Sequence, residues 1–181
     1  MNDNAAIVDY SDWTPDQLIY QIMDHHHDYI RRNVPSINAA LDQAMHQFDQ
    51  QCPELSEIRS MFCKLGEELL EHLDEEECDL FPYILQLTSA QKLNTDVAFP
   101  HIPDAKSPIH MMEDDHHAVI EFLKYIRRLA RDYIAPSGAS EDIHKLYAML
   151  KEFEADLQQH IYLEDNILFP SISKLEAELK K

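Results

Sequence analysis

The sequence contains few glycines and few basic side chains. Only two of its 181 residues are glycine, and strand-like alternation of apolar and polar residues is scarce, so the pattern predicts helices. Lysine and arginine number 15 against 34 acidic residues, which gives a formal net charge of −19. Nucleic acids and anionic membranes bind proteins through Lys and Arg, so neither is expected as a partner. The length fits one domain with a sizeable core.

The sequence also lacks a membrane span, a secretory leader and a cysteine framework. Nowhere do eighteen apolar residues follow one another, and no basic stretch with an apolar core opens the chain. Cys52, Cys63 and Cys78 form no CxxC pair and leave one cysteine unmatched in any disulfide scheme. These absences predict a cytoplasmic protein in a reducing compartment, with structural thiols. Cys78 is expected to point away from the face that carries Glu76.

One pattern occurs twice, over residues 72–82 and 160–170. Each copy begins with His, has Glu four residues later and ends in Leu-Phe-Pro. Residues four apart lie one turn apart on the same face of a helix, so each copy presents an imidazole and a carboxylate together. A single HxxxE is usually a solvated pair, whereas two copies with the same ending favour a metal site. The resulting ligand candidates are His72, Glu76, His160 and Glu164.

Helical periodicity selects a further histidine from each of two runs. His27 shares a stripe with apolar residues at three- and four-residue steps, whereas His25 lies off that stripe and His26 is ambiguous. His116 lies on an apolar face, and its neighbour His117 does not. His72 follows His27 at a spacing of 45 residues, and His160 follows His116 at a spacing of 44. It therefore reads as two similar helical hairpins, each giving one His from its first helix and HxxxE from its second.

Helix boundaries follow from capping and proline signals. Residues 1–12 form an acidic lead-in that is expected to be mobile, and Thr14-Pro15-Asp16-Gln17 opens the first helix as a capping box. Pro35 is expected to bend this helix without ending it, because the apolar stripe continues in phase. The second helix is expected to run to about Leu87, with Pro82 kinking or ending its regular part.

The second half of the chain follows a long connection, residues 88–107. A connection of this length in a compact domain is either functional or mobile. Ser107 and Pro108 are expected to open the third helix, and Ser140 to cap the fourth after the turn at residues 136–140. The prediction is an all-α, up-down four-helix bundle over residues 13–181, built from two pseudo-repeated hairpins.

Such bundles build metal sites from facing side chains in the core. The candidate set is His27, His72, Glu76, His116, His160 and Glu164. Four nitrogens and two carboxylates cannot saturate two octahedral metals unless the carboxylates bridge and solvent fills the remaining positions, so a dinuclear site with at least one exchangeable position is expected. Imidazole plus carboxylate without thiolate suits iron, ahead of manganese or zinc. Without metal, at least one of the two facing carboxylates is expected to take up a proton.

The sequence resembles the haemerythrin-like (HHE cation-binding) family, and within it the di-iron repair-of-iron-centres proteins. The resemblance spans about residues 16–175 and is carried by residues 26–29, 67–82, 108–116 and 160–170. It implies a haemerythrin-like four-helix bundle that holds two non-haem iron ions. In that centre Glu76 and Glu164 would be carboxylate bridges, and an oxo or hydroxo group could complete the bridge.

Two departures from that family are visible. Many of the repair proteins begin with a small cysteine-bearing domain, whereas this chain starts almost directly at the bundle, so the resemblance does not extend to activities of that domain. Phe48 stands where relatives commonly carry a further His. His46 is two residues away, and on a helix it points to the far face. A four-His, two-Glu centre with Phe48 as an apolar wall is therefore expected.

The resemblance implies a cytoplasmic stress-response protein rather than a classical enzyme. Its role would be to repair iron-sulfur centres damaged by nitric oxide or peroxide, either by donating labile iron or by handling nitric oxide. The expected partners are damaged iron-sulfur proteins and the diatomic ligands nitric oxide and dioxygen. The alternative is a haemerythrin-like carrier or sensor of dioxygen. A purely structural module is disfavoured, because uncompensated buried ionisable groups cost several kcal/mol each.

Overall fold

A computed structural model describes residues 9–10, 12–48, 52–95 and 106–179. These residues form four long helices and no strand. They are α1 over residues 15–48, α2 over 54–93, α3 over Lys106–Leu129, and α4 over 141–179. Helix α1 packs against α2 and α4, and α3 packs against the same two helices. The all-α, up-down bundle predicted from the sequence is confirmed.

Three of the four helices contain a π-helical turn. Helix α1 consists of Pro15–Gln21, the π turn Ile22–His27, and Asp28–Phe48. Helix α2 consists of Glu54–Glu75, the π turn Glu76–Leu80, and Phe81–Leu93. Helix α4 consists of Glu141–Leu163, the π turn Glu164–Leu168, and Phe169–Leu179. Pro82 and Pro170 follow two of these turns, and a proline cannot donate to the carbonyl four residues earlier. The wider turn absorbs that missing bond, so Pro82 does not end its helix. Such turns are frequent at functional sites.

The helix starts follow the capping signals. The Thr14 N–H donates to Gln17 Oε1 at 2.9 Å, and the Ile143 N–H donates to Ser140 Oγ at 3.3 Å. Helix α1 continues through Pro35, as predicted. Of the predicted mobile lead-in, residues 1–8 and 11 lie outside the described residues.

The connection after α2 is shorter than the predicted residues 88–107. Helix α2 continues to Leu93 rather than ending near Leu87, because Leu87, Thr88 and Ala90 are buried and extend its packed face. The Thr88 hydroxyl donates to the Ile84 carbonyl at 2.9 Å, so its burial leaves no unpaired polar group. Asn94 then ends the helix in a left-handed conformation, with φ of 52°. Helix α3 already begins at Lys106, ahead of the predicted start; residues 96–105 lie outside the described residues.

The apolar core is divided into two clusters, and the polar candidates lie at their junction. On α1, Ile22 belongs to one cluster and Ile30 to the other, with His27 between them. On α3, His116 lies in the same way between Met112 and Val119. Each helix thus contributes its polar side chains to one layer across the bundle, with a buried apolar cluster on either side.

Candidate metal centre

All six candidate ligands are buried in this layer, and none is more than 5% exposed. His25 and His117 are exposed, as the periodicity predicts. Cys78 is also exposed, as expected. His26, which the sequence leaves ambiguous, is buried.

The ligand atoms form two groups that share both glutamates. The first position consists of His27, Glu76, His160 and Glu164, and the second position consists of His72, Glu76, His116 and Glu164. Within each group the ligand atoms all lie within 4.8 Å of one another. The pseudo-symmetric hairpins therefore bring together two four-ligand sets around two common carboxylates.

Glu76 is placed to bridge the two positions. Its Oε2 lies 3.4 Å from His27 Nε2, and its Oε1 lies 3.4 Å from His72 Nε2. One carboxylate oxygen thus faces each position. Glu164 Oε2 lies 3.2 Å from His116 Nε2 and 3.0 Å from His160 Nε2. Both carboxylates reach a histidine of each position.

The donor atoms fit metal ions better than they fit one another. Both oxygens of Glu76 and of Glu164 are buried and accept no well-aligned hydrogen bond, although histidine nitrogens lie close. The Nε2 atoms of His27 and His160 are 3.3 Å apart, and those of His72 and His116 are 3.1 Å apart. Buried carboxylates without partners are costly unless they bind metal. Convergent imidazole nitrogens and carboxylate oxygens suit first-row transition metals.

The charges within the layer are strongly coupled. Burial alone would lower the pKa of His116, but Asp165 and Glu164 outweigh burial and raise it to about 10. The pKa values of His27 and His72 are also raised, because Glu76 outweighs burial. A cation that enters this layer must displace these protons.

The pKa values of the two buried glutamates are lowered, in contrast to the raised pKa values of the histidines. Burial raises the pKa of Glu76 and of Glu164, but the adjacent imidazoles outweigh it and hold both pKa values below their ordinary range. The expectation that a carboxylate takes up a proton in the metal-free protein is therefore wrong. The raised pKa values of His27, His72 and His116 favour protonation of these imidazoles instead.

Two further carboxylates hydrogen-bond to candidate ligand histidines. The Nδ1–H of His27 donates to Glu77 Oε1 at 2.7 Å, and that of His116 donates to Asp165 Oδ1 at 2.7 Å. An outer carboxylate of this kind fixes the tautomer so that Nε2 faces the metal, and it raises ligand basicity. Sequence reasoning missed both residues. The signal was present, since an acidic residue follows the ligand Glu in both copies of the pattern.

The Leu-Phe-Pro ending of each repeat also has a role at the site. The Phe81 ring stacks on His27, with centroids 5.6 Å apart, and the Phe169 ring stacks on His116 at 6.1 Å. Both phenylalanines are buried. The repeated endings therefore form apolar walls that hold two ligand rings and exclude water.

His26 supports a third ligand ring. Its Nδ1 lies 3.0 Å from Asp156 Oδ1, and its ring is nearly parallel to that of His160, with centroids 5.8 Å apart. The π turn that contains both His26 and His27 allows adjacent histidines to turn inward.

The layer opens to solvent beside His72. A cavity of about 370 Å³ is lined by His72, Glu68, Glu75, Met111 and Asp115, among others. This cavity gives small molecules an approach to the second position. His46 is exposed and belongs to neither ligand group. The side chain of Phe48 lies outside the described residues, so its place as an apolar wall stays a prediction.

The sequence of this chain is similar to a known protein family and to curated relatives. A family model described as the hemerythrin HHE cation binding domain matches residues 18–172. The iron-sulfur cluster repair protein YtfE of Yersinia pseudotuberculosis serotype IB (strain PB1/+) is 31% identical over 155 residues, which cover 84% of this chain and 63% of that protein. YtfE of Yersinia pestis (strain Pestoides F) gives the same figures. The chain thus spans less than two thirds of the length of these curated relatives. No helix among the described residues is long and apolar enough to cross a membrane.

Proposed function

This chain belongs to the hemerythrin HHE cation-binding family, and from that premise we propose that its polar layer holds two iron ions. His27 and His160 bind one ion, His72 and His116 bind the other, and Glu76 and Glu164 bridge them. The observation that carries this proposal is that both glutamates belong to both ligand groups, with buried oxygens that accept no well-aligned hydrogen bond.

The bound ions would supply one-electron redox chemistry and an exchangeable coordination position. The surrounding side chains prepare the site for that chemistry. Glu77 and Asp165 hold the Nδ1 protons of His27 and His116, which leaves the Nε2 lone pairs free to face the metals. Phe81 and Phe169 keep water from these rings. The cavity beside His72 leaves room for a diatomic ligand.

The proposed physiological role is repair of iron-sulfur centres damaged by nitrosative or oxidative stress, in the cytoplasm. The names of the relatives support this role, because both are iron-sulfur cluster repair proteins. The chain would act on a damaged iron-sulfur protein either by donating iron from its centre or by taking up nitric oxide there. Histidine and carboxylate ligands are compatible with donation, because both must be deprotonated to bind a metal and therefore release iron on protonation.

The test is restoration of a nitric-oxide-damaged iron-sulfur enzyme. The iron-loaded chain should restore its activity, and the His116→Ala variant should not. His117→Ala is the matched control, since His117 is the exposed neighbour of His116 on the same helix, and it should restore activity fully. Equal restoration by His116→Ala and the unaltered chain would overturn the proposed role.

A second candidate function is a carrier or sensor of dioxygen. The cavity that reaches His72 favours it, because an approachable metal position serves a diatomic ligand equally well. Repeated cycles of dioxygen uptake and release by the ferrous protein, followed optically, would support this function. Rapid irreversible oxidation of the ferrous protein would exclude it.

A further inference from the structure

The two metal positions differ in the charges behind their histidines. Behind the first position, Glu77 Oε1 accepts the hydrogen bond from His27 Nδ1, and the same oxygen lies 3.0 Å from Arg31 Nη2. One carboxylate oxygen thus serves an imidazole and a guanidinium together. Because the guanidinium withdraws negative charge from that oxygen, less is left to polarise His27.

Behind the second position the corresponding carboxylate has no cation within the part of the chain that the structure describes. Asp165 Oδ1 accepts from His116 Nδ1 at 2.7 Å, and among the described residues Asp165 makes no other ion pair or hydrogen bond. Arg31 lies four residues after His27, and the residue four after His116 is Ile120. The guanidinium is therefore an element of the first hairpin that the second hairpin does not repeat.

The remaining two histidines also differ. At the first position, His160 Nδ1 is buried and has no hydrogen-bond partner among the described residues, and Asp156, four residues earlier on the same helix, is engaged by His26 at 3.0 Å. At the second position, Asp115 Oδ2 lies 3.5 Å from His72 Nδ1 and has no other partner among the residues described. The outer carboxylate of the first position, Glu77, is thus shared with Arg31, whereas Asp165 and Asp115 at the second position each face one histidine and no cation among the described residues.

Asp74 does not cancel this difference. Arg31 Nη2 also lies 2.9 Å from Asp74 Oδ1, but the Asp74 side chain is 72% exposed, whereas that of Glu77 is 26% exposed. Water and salt screen an exposed carboxylate far more strongly than a half-buried one. The guanidinium therefore acts mainly on Glu77 and on the metal position behind it.

We infer that Arg31 makes the two positions unequal, so that the second position binds iron more tightly and the first releases it more readily. This inference rests on the proposed two-iron centre. A carboxylate hydrogen-bonded to a ligand histidine strengthens that ligand, and Arg31 weakens this effect at His27 while placing a positive charge near an incoming cation. The iron available for donation is then the ion held by His27 and His160.

The test is an anaerobic equilibrium titration of the metal-free chain with ferrous iron against a competing chelator. The unaltered chain should bind two ions in two separate steps. Arg31→Met should strengthen the weaker step, and Asp165→Asn should weaken the stronger step, each by about 10-fold or more, as is typical of changes behind a metal ligand. Anomalous diffraction from crystals loaded with one equivalent of iron should place it between His72 and His116.

Arg59→Met is the matched control. Its guanidinium pairs with Asp42 at 2.8 Å and is 41% exposed, against 32% for Arg31, but it contacts no residue of the polar layer. It should leave both steps unchanged.

Several outcomes would overturn the inference alone: two ions bound with equal constants, an Arg31→Met change that shifts both steps or neither, or a single equivalent of iron at the first position. A chain that binds fewer than two ions overturns the proposed centre, and this inference with it.

Discussion

At the scale of single residues, a close approach of α1 and α2 depends on Gly66. A Cβ atom added there would lie 2.7 Å from Val34 Cγ1. Val34 is buried and is stiff at χ1 because its side chain is β-branched. Neither side of this contact can give way without moving a helix that carries a ligand histidine.

Gly66→Ala should therefore destabilise the protein. Overpacking costs about 1–3 kcal/mol, and the better helix propensity of alanine offsets about 0.5–1 kcal/mol of it. Chemical denaturation should show a net loss in the free energy of unfolding. Combining it with Val34→Ala should recover most of that loss, and a double variant whose loss is the sum of the two single ones would show that the two residues do not clash.

Sequence patterns predicted the residues whose positions follow regular helix geometry. They missed the residues whose contacts depend on how the helices pack. The ligands His72 and Glu76 obey the i, i+4 rule, so they were predictable. Glu77 was missed although an acidic residue follows the ligand Glu in both copies of the pattern, because a 3.6-residue period turns it about 100° away from Glu76. It reaches His27 only across a helix packing that no single sequence pattern encodes. Arg31 acts through Glu77 and was missed for the same reason.

At the scale of secondary structure, the π turns fix the direction of the bridging glutamates. Glu76 and Glu164 are each the first residue of a π turn, with a proline six residues later. Sequence patterns gave the helices and their capped starts, because these depend on local hydrogen bonds. The π turns were not predictable from these patterns, because a change of helical phase depends on tertiary packing. The end of α2 was not predictable for the same reason, since the burial of Thr88 depends on the helices packed around it.

Replacing Pro82 should disturb the site more than it disturbs the fold. Pro82→Ala supplies an N–H for the carbonyl four residues earlier, which favours a regular α-helix and rotates the flanking segments relative to each other. We expect several-fold weaker iron binding with little loss of helicity, measured by metal titration and circular dichroism. Pro35→Ala is the control, because Pro35 lies in regular α-helix. Unchanged iron affinity in Pro82→Ala would mean that tertiary packing alone maintains the π turn.

At the scale of the whole molecule, the polar layer links metal binding to stability and pH. In the metal-free protein, His27, His72 and His116 have pKa values raised above the ordinary 6.5, that of His116 to about 10. Groups with raised folded-state pKa values contribute stability that is fully present below the unfolded pKa and is lost as pH rises through the folded pKa.

The metal-free protein should therefore lose thermal stability as pH rises from about 6.5 to about 10. The imidazoles deprotonate over this range and leave two buried carboxylates without compensation. The iron-loaded protein should vary much less, because the metal charge replaces the protons. Melting temperatures of both forms over this range test the point. A flat profile for the metal-free form would show that its carboxylates are not balanced by protonated histidines.

The central claim is that Glu76 and Glu164 are shared by two metal positions. Iron content per chain after reconstitution tests it most directly, in Glu76→Gln, Glu164→Gln and His27→Ala. The control is Glu154→Gln, which alters a buried glutamate that pairs with Arg127 outside the polar layer. The account predicts two irons in the unaltered chain and in the control, about one in His27→Ala, and loss of the pair in both bridge variants. Retention of two irons by Glu76→Gln and Glu164→Gln would contradict it.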